Sequence, residues 1–134
     1  MQKRVIMVFG IALWMALGSV VAETYSIPPE KVDVKKIYWG SAASFEKPAH
    51  VDYEQVVRAT PEYESIRKNK IETGTARYWI LMSQASDHAI RLINEIGKET
   101  DYDFIAASAY MASLEPPIEA DDVTELVLKK LEKA

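Results

Sequence analysis

Apolar positions fall into three patterns along this 134-residue chain, and each predicts a different element. Val5 to Leu17 is an uncharged, mostly apolar run of 13 residues with no periodicity. Between residues 76 and 98 the apolar side chains recur at helical spacing. Tyr78, Met82, Ala85, Ala89, Leu92 and Ile96 follow steps of four and three, with Trp79 and Ile93 widening the stripe. Such a seam suits a coiled-coil partner and a simple amphipathic helix equally. Phe104-Ile105-Ala106-Ala107 is a short continuous apolar run, as expected of a strand buried on both faces.

Weaker signals connect these elements. Residues 35–39 suit a short strand followed by the small-residue loop 40–44, and 50–53 a strand end leading to a short helix over 54–58. Val56 and Val57 are its core-facing pair. Thr60-Pro61 predicts a helix start, because the Thr hydroxyl caps free N–H groups and Pro at the first position loses no hydrogen bond. The helix it starts, residues 61–73, carries only Tyr63, Ile66 and Ile71 as an apolar stripe. Thr73-Gly74-Thr75 fits either a turn or a continuous helix with a tolerated glycine. Gly97 reads as the stop of the long helix. After Glu115-Pro116-Pro117, Asp122-Val123-Thr124-Glu125 resembles a capping arrangement. The closing helix has Val123, Leu126, Val127, Lys130 and Leu131 on its inner face. The fold class expected is α+β: a small β-sheet body, a protruding helical hairpin or long helix, and a C-terminal helix.

The apolar N-terminal run changes the domain picture. Lys3 and Arg4 precede it and Gly18-Ser19-Val20-Val21-Ala22 follows it, which is the layout of a cleavable export signal over residues 1–22. Its 13 residues are fewer than the roughly 20 a spanning helix needs. The expected location is the periplasm, with cleavage near Ala22. Residues 23–47 then read as an N-terminal extension with Tyr38, Trp39 and Phe45 as docking points. Residues 48–134 read as a single domain, with body segments 48–60 and 99–134 and an arm over 61–98.

Composition narrows the function. There is no cysteine, so neither a disulfide nor a cysteine nucleophile is available. Without Lys3 and Arg4 the formal net charge moves from −4 to −6, with the acidic excess in the last third. A net-acidic chain is a poor general binder of nucleic acid or anionic lipid. The two histidines, His50 and His88, have no evident metal-ligand spacing, and His88 reads as part of a solvated helix face. Helix capping accounts for the acidic cluster Glu119, Asp121, Asp122 and Glu125. Asp101 and Asp103 read as solvated turn residues. Neither a G-x-S-x-G nor a glycine-rich phosphate loop occurs. The expectation is a protein that is not an enzyme and needs no cofactor or metal.

Two stretches carry a family likeness. Residues 49–66 begin with Ala49-His50-Val51-Asp52-Tyr53-Glu54-Gln55-Val56-Val57. Residues 89–131 contain Tyr102-Asp103-Phe104-Ile105 and close on Asp121-Asp122-Val123-Thr124-Glu125-Leu126-Val127-Leu128-Lys129-Lys130-Leu131. This order resembles the Skp/OmpH family of periplasmic chaperones. There a "YDLVV"-like strand follows a returning helix, and a "D-I-T-x-x-V-L-K-x-L"-like helix ends the chain. The resemblance implies a trimer with a central β body, whose helical arms enclose unfolded outer-membrane proteins. This chain departs from the family in its short arm and its acidic charge.

A holding chaperone for unfolded outer-membrane or envelope proteins follows as the expected function, with a short-armed, Skp-like body. Tyr78, Trp79, Ile80 and Leu81 are the candidate client-facing patch, or equally a core-packing one. Arg67, Lys68, Lys70 and Arg77 form a basic cluster near the arm tip. The alternative is an envelope assembly protein that uses the body to oligomerise and residues 23–47 to dock a dedicated partner.

Overall fold

The computed structural model describes residues 23–133; the expected export signal, residues 1–22, lies outside them. The apolar run at 104–107 forms the inner strand of a four-stranded mixed sheet. Strand β1 is Ile37–Gly40, β2 is Pro48–Val51, β3 is Phe104–Ala107 and β4 is Asp121–Asp122. The order is β1-β3-β2-β4, with β1 antiparallel to β3 and the other pairs parallel. Five α-helices accompany the sheet among the described residues: α1 (Tyr53–Ala59), α2 (Pro61–Lys68), α3 (Ala76–Glu99), α4 (Ser108–Ser113) and α5 (Thr124–Lys133). The class is thus α+β, with a long helix, a helical hairpin and a C-terminal helix.

Side-chain alternation along the strands divides the core in two. Ala49, Val51 and Ile105 point to one face, where they meet Val56 and Val57 of α1, Ala85 to Ile96 of α3, and Val127 of α5. Phe104 and Ala106 point to the other face and meet Ile27, Phe45, Met111 and Leu114. All four residues of β3 are buried, which explains its unbroken apolar sequence. The stretch 23–47, expected as an extension, supplies β1 and the fully buried Phe45, so it builds the second core. Residues 35 and 36, expected to open the strand, lie instead in a 3₁₀ turn over Val34–Lys36, with the Asp33 carboxylate accepting from the Lys35 N–H.

Capping chemistry fixes most helix ends. The Thr60 side chain is completely buried yet satisfied: its Oγ1 donates to the Val57 carbonyl (2.7 Å) and accepts from the Tyr63 N–H (3.2 Å). Thr75 does the same for α3, donating to the Glu72 carbonyl and accepting from the Tyr78 N–H. The Asp52 carboxylate accepts from Gln55 N–H at the start of α1, and its own N–H donates to Thr124 Oγ1 (2.9 Å). Thr124 in turn gives both its N–H and its hydroxyl to the Asp122 carboxylate. The first turns of α1 and α5 are therefore tied together beside the β2–β4 pair.

Three expectations about the helices need correction. Helix α2 ends at Lys68, five residues early. Asn69 turns its side-chain amide back to the Ser65 carbonyl, and Lys70 adopts a left-handed φ of 51°, which no helix can continue through. Of the two readings of Gly74 the turn holds: with φ 95° it lies between α2 and α3, so the arm is a hairpin. Gly97 does not stop α3; the helix runs on to Glu99, and the glycine leaves room for the Trp39 ring. On α5, Val127 is buried and Leu128 and Leu131 pack at the core edge, but Leu126 is exposed.

His88 is likewise not on a solvated face. It is half-buried, and its Nδ1–H donates to Glu62 Oε1 (3.0 Å), joining α2 to α3. Burial pushes the Glu62 carboxyl up, but the His88 hydrogen bond, its own backbone N–H and nearby Arg91 outweigh this and hold it below the usual carboxylate range. A lowered folded-state pKa gives stability that is present above the unfolded value and lost as pH falls through the folded one. Glu62→Gln is therefore expected to destabilise the chain by about 1 kcal/mol at neutral pH. In urea titrations that difference should close as pH falls below the ordinary carboxylate range, where the parent carboxylate also protonates.

Candidate functional site: the tip of the helical hairpin

Helix α3 has 24 residues and spans about 36 Å at 1.5 Å per residue. Its buried positions are Ala85, Ala89, Leu92, Ile93, Ile96 and Gly97, all in its C-terminal two-thirds. The sheet and α5 cover that part. The first nine residues of α3 share a groove with α1 and α2, and none is fully buried. A 3.6-residue period then turns neighbouring side chains to opposite sides.

The four candidate residues on this segment accordingly divide. Trp79 is 60 % exposed and Ile80 58 %, two of the five large apolar side chains in the described chain that are left in solvent. Tyr78 and Leu81 are half-buried. Tyr78 stands edge-on to Trp79, with ring centroids 5.1 Å apart and planes at 81°. On its other side Tyr78 lines a groove of about 370 Å³ with Tyr53, Val57, Tyr63 and Met82. The groove's polar wall is Glu54, Arg58 and Ser86, and the Tyr53 and Ser86 hydroxyls hydrogen-bond.

The aromatic wall continues inward. The Tyr38 ring stacks on Tyr53 at 5.2 Å and 18°. Burial, then the neighbouring Tyr53 and Asp33, push the Tyr38 phenol up to about 12, so it stays neutral throughout the physiological range. The aromatic rings thus run from Tyr38 through Tyr53 and Tyr78 to the exposed Trp79 indole, beside the charged Glu54 and Arg58 of the groove wall.

The basic residues collect at the same end because the hairpin turns there. Arg67 and Lys68 close α2, Lys70 sits in the turn, and Arg77 is the second residue of α3. Arg67 pairs with Glu64 one turn back. Lys68, Lys70 and Arg77 are exposed, and among the described residues none of the three forms an ion pair.

The hairpin tip was legible in the sequence as an aromatic run beside a basic cluster. Tyr53 and Tyr63 were not legible as partners of Tyr78. They come from separate helices, and only the folded hairpin brings them to one groove. A second contact was also missed: His50 Nδ1 lies 2.7 Å from Ser108 Oγ, across 58 residues of sequence. The one local hint was a polar His50 between two core residues in a strand.

Asp103, expected in a solvated turn, is a tie: its carboxylate accepts the Glu46 and Lys47 N–H groups, both at 2.8 Å. Asp121 accepts from the Tyr102 hydroxyl (2.7 Å). Among the described residues no group of His, Asp and Glu side chains is arranged to hold a metal ion, and no helix is long and apolar enough to cross a membrane. Compared with known proteins, the chain matches no protein-family model, no curated protein and no solved structure.

Proposed function

We propose that the protein is a holding chaperone of the periplasm, a short-armed relative of the Skp/OmpH type, which takes up unfolded envelope proteins at the tip of its helical hairpin. The observation that carries this reading is the exposure of Trp79 and Ile80 at the end of α3 that the sheet does not cover. A large aromatic and a β-branched side chain in solvent lose hydration surface only when something apolar covers them. The neighbouring groove of Tyr53, Tyr63, Tyr78 and Met82 extends that surface with residue types that adapt to varied side chains. The exposed Lys68, Lys70 and Arg77 add charge that attracts an acidic segment without fixing its register.

In this reading three copies associate through their sheet bodies and present three hairpins. An arm this short makes a shallow cup, suited to covering a segment and not to enclosing a whole barrel. The competing assignment, an assembly protein docking through residues 23–47, draws less support. The most apolar side chain of that stretch, Phe45, is 1 % exposed and already packed in this chain's own core.

The test is suppression of aggregation. A urea-denatured outer-membrane β-barrel is diluted into buffer with the purified protein at one trimer per client, and light scattering is followed. The protein is expected to slow the rise in scattering. Trp79→Ser with Ile80→Ser is expected to abolish most of that effect while leaving the melting temperature within a few degrees, because both side chains are solvent-exposed. Scattering that is unchanged by the parent protein would sink the proposal. Equal protection by the double variant would move the contact surface elsewhere.

A further inference from the structure

An open depression of about 790 Å³ lies on the Phe45 face of the sheet, between β2, α4 and the 117–121 segment. That volume suits a small organic ligand. His50 and Ser108 line the depression, both half-buried, with Nδ1 and Oγ 2.7 Å apart. Ser108 follows directly on β3 and His50 sits within β2, and their positions are set by the sheet. His50 pairs with Ala106 of β3 on one side and Asp122 of β4 on the other, and its carbonyl accepts the Val123 N–H at 2.9 Å. Register sets Asp122 of β4 beside His50, and Ser108, the first residue of α4 just after β3, reaches His50 from the opposite side, so the three lie in a row.

The row has the chemical order nucleophile, base, carboxylate. The Asp122 carboxylate is fixed by the Thr124 hydroxyl and N–H. Those bonds, hydroxyl first, outweigh partial burial and hold it below the usual carboxylate range, with the neighbouring His50 adding to the effect. We propose that this cavity is an acyl-transfer site, in which Ser108 is the nucleophile and His50 its general base, with Asp122 as a positioning residue. It is independent of the hairpin tip and of the chaperone reading.

Ser108 Oγ attacks the carbonyl carbon of an ester while its proton passes to His50 Nδ1. The Oγ–carbon bond forms, the carbon–alkoxide bond breaks, and the alcohol leaves with the proton from His50. Water then cleaves the acyl-serine by the same route, returning the hydroxyl and releasing the carboxylic acid. Met111, Ala112, Pro117 and Ile118 give the cavity an apolar wall for the acyl chain. Glu46, Glu119 and Asp121 face a single Lys47 there, which disfavours anionic esters. The substrate class is a carboxylic ester of a neutral or cationic alcohol.

The purified protein is treated with a fluorophosphonate probe and analysed by intact mass and peptide mapping, and p-nitrophenyl acetate hydrolysis is followed in parallel. One adduct is expected, on Ser108. Ser108→Ala is expected to remove both adduct and hydrolysis, and His50→Gln to slow hydrolysis by about 100-fold or more. Asp122→Asn is expected to lower kcat and shift its pH profile, a change that lost stability alone would not produce. Mapping the adduct on the parent protein decides the case even where a variant folds poorly. Absence of labelling and turnover, an adduct on another residue, or parental hydrolysis by Ser108→Ala would each overturn the assignment.

Discussion

Phe45→Ala is expected to destabilise the protein by about 4 kcal/mol, a larger loss than any other single substitution considered should cause. The ring is 1 % exposed and lies almost parallel to Phe104, with centroids 4.0 Å apart and planes at 9°. On its other side Tyr25 stacks at 5.7 Å. Truncation removes the apolar area of the ring and leaves a void, and both losses act against folding. Backbone collapse cannot easily fill that void, because Tyr25 and Phe45 exchange two main-chain hydrogen bonds of 2.7 and 3.0 Å. A domain of this size is stable by roughly 5–15 kcal/mol, so the loss is a large fraction of the total.

Urea unfolding of the parent, Phe45→Ala and Phe45→Leu checks it. The midpoint should fall steeply for alanine and by much less for leucine, which refills most of the volume. The slope of the transition should stay constant, since the same surface is exposed on unfolding. A loss under about 1 kcal/mol for alanine would mean that residues 23–47 unfold apart from the rest.

The contrast between Phe45 and Phe104 shows what a sequence discloses. Phe104 lies in an unbroken apolar run, and burial on both faces of a central strand leaves that mark. Phe45 stands alone between Ser44 and Glu46, in a stretch with Pro28-Pro29 and no period. Its burial depends on the pairing of β1 with β3, which lies far along the chain, and pairing partners leave no local trace. The same reason hides β4. It consists of Asp121 and Asp122, residues with poor strand propensity, and it exists only because β2 offers a parallel edge.

Helix starts were more legible, since a cap acts within three residues. Thr60 and Asp52 close hydrogen bonds over that distance. Helix stops were less so. The end of α2 lies in the backbone of Lys70 and the side chain of Asn69, neither of which is a strong breaker. The candidate site divides along the same line. The Tyr78–Leu81 run and the basic residues are neighbours in sequence or joined by a short turn, and they could be read. The groove partners Tyr53 and Tyr63, and the His50–Ser108 pair, come from elements that meet only after folding.

Gly97 shows how a correct local rule reaches a wrong result, and it yields the second large prediction. Glycine near the end of an amphipathic pattern ordinarily marks a helix stop. Here α3 continues past it, and a Cβ at this position would lie 2.3–2.5 Å from three atoms of the Trp39 indole. The ring cannot easily move away, because its Nε1–H donates to the Tyr102 carbonyl (3.1 Å). Helix propensity alone would make Gly97→Ala stabilising by about 1 kcal/mol. Overpacking against a held ring costs more than that gain, so a net loss of about 2 kcal/mol is expected.

A double-mutant cycle with Trp39→Ala isolates the cause. Once the indole is gone the methyl has space, and Gly97→Ala in that background should be neutral or stabilising. Opposite signs for the same substitution in the two backgrounds would establish that the glycine is kept for the close approach of β1 to α3. A stabilising Gly97→Ala in the parent protein would show that the indole does not sit over the helix, and would weaken the assignment of residues 23–47 to the fold.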